Sequence, residues 1–334
     1  MQTTQTRNPN DTAMERALNS RFLSSLANVF RTKRNTAENA WDKLLGDDQV
    51  RQFSAGGAAS LSTMHRYYNR LVHGNPDKHY LEYFRDKYLA HRDQPIIASF
   101  GAGNGHLERA FLDFQFNFSR IDGYELNPRL VESANAKMGE RGVTNVRYHV
   151  ADLNSHAFDP CTIDVGVFFH SLHHVNELEY CLDQVQHAIK DDGVLLLVDY
   201  IGPNRLQYTD HQLSIANNIL LTIPNEYRQS ADGKATKTVC VRQSEREVIS
   251  DDPSEAIRSA DIIPELKKRF DVLEFRSLGG TLLNHVLRGI AQNFDESDPD
   301  DVALLESLQD LEQWYERTGR VQPDFVFAVF TPKR

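Results

Sequence analysis

Pro95-Ile-Ile-Ala-Ser-Phe-Gly-Ala-Gly-Asn-Gly105 is the stretch on which the fold turns. A short apolar run ends in three glycines at alternate positions. Leu107, Ala110, Phe111 and Phe114 then follow at helical spacing. The pattern is strand, glycine turn, helix. Glycines at such a turn let the backbone bend tightly and lie against a ligand. The dinucleotide fingerprint is G-x-G-x-x-G. Here the third glycine comes one residue early and His106 stands where that fingerprint wants glycine, which disfavours a nicotinamide or flavin cofactor. Taken alone, the glycines also fit a plain strand-to-helix turn.

Outward from this stretch the text alternates. Strands are expected over 120–125, 146–150, 163–169 and 194–200, with helices between them. Asn127 before Pro128 reads as a helix cap followed by a first-turn proline. Apolar strands alternating with amphipathic helices imply right-handed crossovers and a parallel sheet buried on both faces. Ligands of such sheets lie at the carboxyl ends of the strands. Residues 201–260 break the alternation with one helix, over 210–221, and a polar tract from 224 onward. Beyond them come a helix over 262–270, a strand over 272–276, helices over 282–290 and 302–315, and a strand over 324–330. Upstream, residues 1–12 lack periodicity, and residues 13–30 and 80–89 read as helix. Four regions result: a helical N-terminal region or lid over 1–94, the ligand-binding core over 95–200, a substrate-lid insertion over 201–260, and a segment over 261–334 that completes the sheet.

The chain has 334 residues, 37 Lys+Arg against 47 Asp+Glu, and hence a formal charge of −10. Such an acidic chain is a poor general binder of phosphate backbones, so nucleic acid is disfavoured as a partner. No run has the roughly 18 apolar residues of a membrane span. Three cysteines are too few for a disulfide framework and read as the reduced thiols of a cytoplasmic protein. The acidic run from Asp295 to Asp301 reads as a solvated loop with helix-capping acids.

Two acids extend the glycine signal. Glu125 ends the second strand, placed to accept the hydroxyl hydrogens of a ribose, and Asp152 follows the third, within reach of an adenine amino group. With Ser99-Phe-Gly-Ala-Gly-Asn-Gly105, Tyr124-Glu-Leu-Asn-Pro128, Ala151-Asp-Leu-Asn154, His170-Ser-Leu-His-His-Val175 and Ile189-Lys-Asp-Asp-Gly-Val-Leu-Leu-Leu-Val198, the chain resembles the class I S-adenosylmethionine-dependent methyltransferases. The later stretches Gly202-Pro-Asn-Arg-Leu-Gln-Tyr-Thr-Asp210 and Asp252-Pro-Ser-Glu-Ala-Ile-Arg-Ser259 are similar to a bacterial group associated with polysaccharide or small-metabolite methylation. The resemblance implies an α/β, Rossmann-like, doubly wound and mostly parallel seven-stranded sheet. It implies S-adenosyl-L-methionine as methyl donor, held by Ser99, Gly101, Ala102, Gly103, Gly105, Glu125, Leu126, Asp152, Leu153 and His170. The family often carries an acid where this chain has Ser99.

Methyl transfer from a sulfonium is an in-line displacement, so the protein's tasks are alignment and, for a hydroxyl acceptor, removal of a proton. A histidine with a pKa of about 6.5 suits that task. His173 is the first choice as general base and His174 the second, with packing behind the fourth strand as the competing role. Tyr200, Arg205, Gln207, Tyr208, Arg228, Glu255 and Arg258 are expected to bind the acceptor, the arginines through forked bonds to an anionic group. Surface salt bridges that tie the insertion down are the alternative for them. Tyr67 or Tyr68 is expected to close over the donor. No cysteine or carboxylate cluster with metal spacing accompanies the histidines, so no metal is expected. The reading is O-methylation of a sugar, glycan precursor or other polar small metabolite. N-methylation of an amino sugar or amine, and donor binding without transfer, are the alternatives. A small molecule is the expected partner, and the oligomeric state, a homodimer included, is left open.

Overall fold

The computed structural model describes residues 57–231 and 233–333. The helix expected over 13–30 and the disorder expected over 1–12 lie outside the described residues.

The sheet has seven strands: β1 (Ile96–Phe100), β2 (Arg120–Glu125), β3 (Val146–Val150), β4 (Ile163–Phe169), β5 (Ile189–Tyr200), β6 (Phe270–Ser277) and β7 (Phe325–Pro332). Their order is β3-β2-β1-β4-β5-β7-β6. β1 to β5 pair in parallel, and β7 runs antiparallel between β5 and β6. The fold is the expected α/β, doubly wound, mostly parallel sheet. The helices of the first crossovers are α3 (His106–Asp113), α4 (Pro128–Glu140) and α5 (Leu178–Ala188). Asn127 caps α4 by accepting the Arg129 N–H, with Pro128 in the first turn, where its missing N–H costs nothing.

Two expectations are corrected: the polar tract from 224 onward contains a short helix, Glu245–Asp251, begun by a Ser244–Glu247 capping box that favours helix over loop, and the start of the fifth strand lies earlier. β5 starts at Ile189, not at 194: Ile189 pairs with Ile163, and the next partners are Val165 and Val194. The charged stretch after Ile189 is a bulge that leaves the ladder and rejoins it at Val194, which a scan for apolar runs cannot see.

The sheet is buried on both faces. One core holds Ile97, Leu107, Phe111, Ile121, Val165 and Leu196; the other holds Ala98, Phe100, Phe168, Leu182, Leu197 and Phe330. Adjacent strand residues thus enter opposite cores, as the two-residue pleat requires. A third core is all helical. It joins α1 (Ser62–His73), α6 (Asp210–Thr222), α9 (Leu283–Leu287) and α10 (Pro299–Arg317) through Met64, Tyr67, Ile219, Val286 and Leu305. Glu296 accepts the Ser62 and Thr63 N–H groups at 2.9 and 2.6 Å, and Asp298 caps α10, so two acids of the 295–301 run do satisfy helix starts.

Tyr67 is 1% exposed and belongs to this third core, against Gly279 and Glu312. The expectation that it closes over a ligand is corrected: its ring is structural filling between α1 and the turn after β6.

Candidate active site

β1 lies between β2 and β4, so the chain departs to opposite sides of the sheet beside it, and the crevice at its carboxyl end is the natural ligand position. The glycine loop occupies that position. Gly101 and Ala102 donate N–H bonds to the Tyr124 carbonyl at 2.8 and 2.9 Å, which ties the loop to the end of β2. Gly101 has a φ of +76°, and a Cβ there would come within 2.5 Å of the Ser171 Cβ. Only glycine meets both the angle and the space. Gly103, at φ +56°, has nothing within 4 Å of the Cβ it lacks, so the loop is bare on that side.

Glu125 is 4% exposed and clamps the loop. One carboxylate oxygen accepts the Gly103 N–H at 2.9 Å and the other the Asn127 N–H at 2.9 Å. Burial raises its pKa, and these backbone donors oppose the rise. Each oxygen keeps a lone pair for a further donor. Asp152 is exposed, and one of its oxygens accepts from both Asn154 nitrogens at 2.9 and 2.8 Å. Leu126 is 46% exposed directly after the buried Glu125, and Leu153 is half-buried against the second core. Together with the bare loop these groups form a cradle with an apolar side and two carboxylates, which fits an adenosyl group.

The histidine segment lies beside the loop. The Ser171 hydroxyl donates to the Phe100 carbonyl at 2.6 Å. His170, at φ +53°, is exposed. His173 is buried and its Nδ1 meets the Asp199 carboxylate at the end of β5. Asp199 is completely buried and also accepts the N–H groups of Ser171, Leu172 and Tyr200 at 3.1, 2.7 and 2.7 Å. Burial works against a charged imidazole, but the Asp199 charge outweighs it and His173 is pushed up to about 9. His174 goes the other way: burial and the neighbouring His173 hold its pKa well below the usual value. Its Nδ1 lies 3.0 Å from the Ser254 hydroxyl. Asp199 is a carboxylate inside an otherwise apolar strand, a signal absent from the residues singled out by sequence.

The insertion delivers the other side of this site. Ile257 donates its N–H to the His173 carbonyl at 3.1 Å, and Arg205 its own to the Ala256 carbonyl at 2.7 Å. This pairing sets Glu255 Oε1 3.8 Å from His173 Nε2. Tyr200 and Tyr208 pack edge-on to each other, and the Tyr200 ring also stands edge-on to His173, with centroids 6.3 Å apart. His173, His174, Glu255, Tyr200 and Tyr208 are therefore brought together.

The arginines are not. Arg205 donates to the Pro253 and Glu255 carbonyls at 2.7 and 3.0 Å. Arg258 forks onto Glu179 at 2.6 and 2.7 Å and reaches Asp261 at 3.0 Å. Arg228 donates to the Lys237 carbonyl and to Asn225. Gln207 donates to the Arg205 and Gln243 carbonyls. These four side chains brace the insertion against itself and the core. Where the sequence leads one to expect an acceptor anion on these arginines, the donors named here bond protein oxygens instead, while the Arg228 Nε is buried without a partner among the described residues.

His173, His174 and Glu255 each offer one ligand atom, all within 4.8 Å of one another. A zinc ion with nitrogen and oxygen ligands draws them to about 3.4 Å. In the geometry present, the proton on His173 balances the charge of Asp199.

Residues 98–197, from the middle of β1 to near the end of β5, match the profile of a methyltransferase domain. The match covers under a third of the chain, and over that stretch the chain is similar to a methyltransferase domain. It holds the glycine loop, Glu125, Asp152 and His173, while Asp199, Glu255 and the aromatic residues lie beyond its end. An uncharacterized methyltransferase of Bacillus subtilis, YcgJ, is 29% identical over 112 residues, which are 34% of this chain and 43% of that protein. The match thus spans less than half of the relative. The crystal structure of YcgJ superposes with a TM-score of 0.43 at 19% identity, covering 77% of this chain and 99% of that one. A Haemonchus contortus phosphoethanolamine N-methyltransferase 2 bound to S-adenosyl-L-methionine gives a TM-score of 0.48 at 14% identity, covering 85% and 60%. Among the described residues no helix is long and apolar enough to cross a membrane.

Proposed function

We propose that the chain is an S-adenosylmethionine-dependent methyltransferase acting on a hydroxyl of a sugar, glycan precursor or other polar small metabolite. When bound, the donor supplies a methyl group activated by a sulfonium. Glu125 receives the ribose hydroxyls on its remaining lone pairs. Asp152 lies on the adenine side, with Leu126 and Leu153 as apolar walls. Gly101, Ala102, Gly103 and Gly105 let the backbone approach closely, and His170 borders the loop from β4.

On the acceptor side His173 is the general base. Asp199 holds Nδ1, which fixes the tautomer and leaves Nε2 for the acceptor hydroxyl. Asp199 also stabilises the imidazolium that forms on proton transfer. Glu255, Tyr200 and Tyr208 surround the position where that hydroxyl would stand. The observation that carries this reading is the Asp199–His173 pair beside the glycine loop of a matched methyltransferase domain.

The test is formation of S-adenosylhomocysteine with paired hydroxyl and amino sugars. Turnover with the hydroxyl member, lost in His173→Asn, supports the reading. Turnover confined to the amine contradicts the O-methylation part. Tight donor binding with no product from any acceptor extract contradicts the enzyme.

A further inference from the structure

Ser99, at the end of β1, is 2% exposed and carries no charge. A buried acid does stand beside it, delivered from a different element. Glu108, in the first turn of α3, is completely buried. One of its carboxylate oxygens accepts from the Tyr148 hydroxyl at 3.3 Å. The other, Oε1, has no hydrogen-bond partner among the described residues. The Ser99 hydroxyl lies against the carboxyl and favours its ionised form, as do Tyr148 and the Arg109 charge, while burial raises its pKa. Arg109 itself donates to the Asn104 carbonyl at 2.7 Å.

This group is part of the loop's floor. The Tyr148 hydroxyl fills the space that a Cβ on Gly105 would take, so the third glycine rests on the same tyrosine that holds Glu108. A buried carboxylate oxygen left without a partner calls for an explanation. The order of strands supplies one. Asp152 follows β3 and Glu125 ends β2; with adenine and ribose on those two acids, as proposed above, the amino-acid end of the donor falls over β1.

We infer that Glu108 is a positioning residue for the amino-acid end of the donor, its buried carboxylate supplying from α3, through Ser99 and the glycine loop, the negative charge that the end of β1 lacks. This rests on the donor reading above. The Ser99 hydroxyl, which lies against Glu108, is the group through which the carboxylate would act on an ammonium, in a water-poor setting that strengthens such contacts.

The experiment is calorimetry with two probes, S-adenosylhomocysteine and 5′-methylthioadenosine, which lacks the amino-acid end. Wild type binds both. Glu108→Gln keeps the size and hydrogen-bonding capacity but loses the charge. It is expected to weaken S-adenosylhomocysteine tenfold or more while leaving methylthioadenosine within twofold. Adding Ser99→Asp to it returns the first affinity to within threefold of wild type. Equal loss for both probes, or no loss for either, overturns the inference and leaves a structural acid. If Glu108→Gln does not fold, Ser99→Ala decides, because it removes the hydroxyl that lies between the carboxylate and the loop. It is expected to weaken S-adenosylhomocysteine while leaving methylthioadenosine within twofold, and an equal effect on both probes overturns the proposal. A wild type that binds neither probe defeats the donor reading itself, and this inference with it.

Discussion

His173 stands between two carboxylates: its Nδ1 meets Asp199, and its Nε2 lies 3.8 Å from Glu255 Oε1. Asp199 comes from the end of β5 and Glu255 from the insertion. The relationship therefore joins the stretch that matches the methyltransferase profile to the segment that follows it, and it ties the state of His173 to the seating of the insertion.

The pH dependence follows from the direction of the His173 shift. Asp199 raises its pKa to about 9, and a general base works only when unprotonated. Turnover under saturating substrates therefore rises with pH, about tenfold per unit at low pH, and levels off near 9. In Asp199→Asn the neutral amide no longer holds the proton on His173, so the inflection moves to lower pH. The plateau drops by about 10²–10⁴-fold as orientation and imidazolium stabilisation are lost. An inflection that stays in place in this variant removes His173 from the base role.

Chelation separates a base from a metal ligand. With His173 acting through a proton, dialysis against a chelator followed by assay in metal-free buffer leaves turnover within twofold. A loss restored by a divalent cation would mean that His173, His174 and Glu255 close around an ion instead.

Gly101 tests the loop. Alanine there meets both a left-handed backbone and a Cβ contact with Ser171 at 2.5 Å. Gly101→Ala is expected to lower stability by about 1–3 kcal/mol in chemical denaturation and to abolish measurable donor binding. Wild-type affinity in this variant would show that the loop is not the donor cradle.

Arg258 tests the correction made to the acceptor site. Its partners Glu179 and Asp261 are about half exposed, so water screens the bridges. Arg258→Ala is expected to cost at most about 1 kcal/mol of stability and to leave the acceptor KM within about twofold. A KM raised tenfold with unchanged stability would return Arg258 to the acceptor.

Much of this was legible in the sequence because it is local. Strand, glycine turn and helix follow one another within twenty residues, and Glu125 and Asp152 sit at strand ends that the pattern marks. The parts that were not legible depend on contacts distant in sequence. Asp199 finds His173 twenty-six positions away. Glu255 reaches it only because the insertion pairs its backbone with 173 and 205. Arg258 reads as a ligand group because its chemistry suits anions; nothing in the chain text shows that Glu179 claims both arms of its guanidinium. Glu108 reads as an ordinary first-turn helix acid, and only the fold reveals that it is buried beneath the glycine loop.

Titration calorimetry with S-adenosylhomocysteine on wild type and Glu125→Ala bears most directly on the whole account. The wild type is expected to bind, and loss of the carboxylate that clamps the loop and faces the ribose should weaken binding by about tenfold to a hundredfold, in line with the roughly 1.5–3 kcal/mol of a hydrogen bond to a charged group. Equal affinity in the two proteins, or none in the wild type, would contradict it.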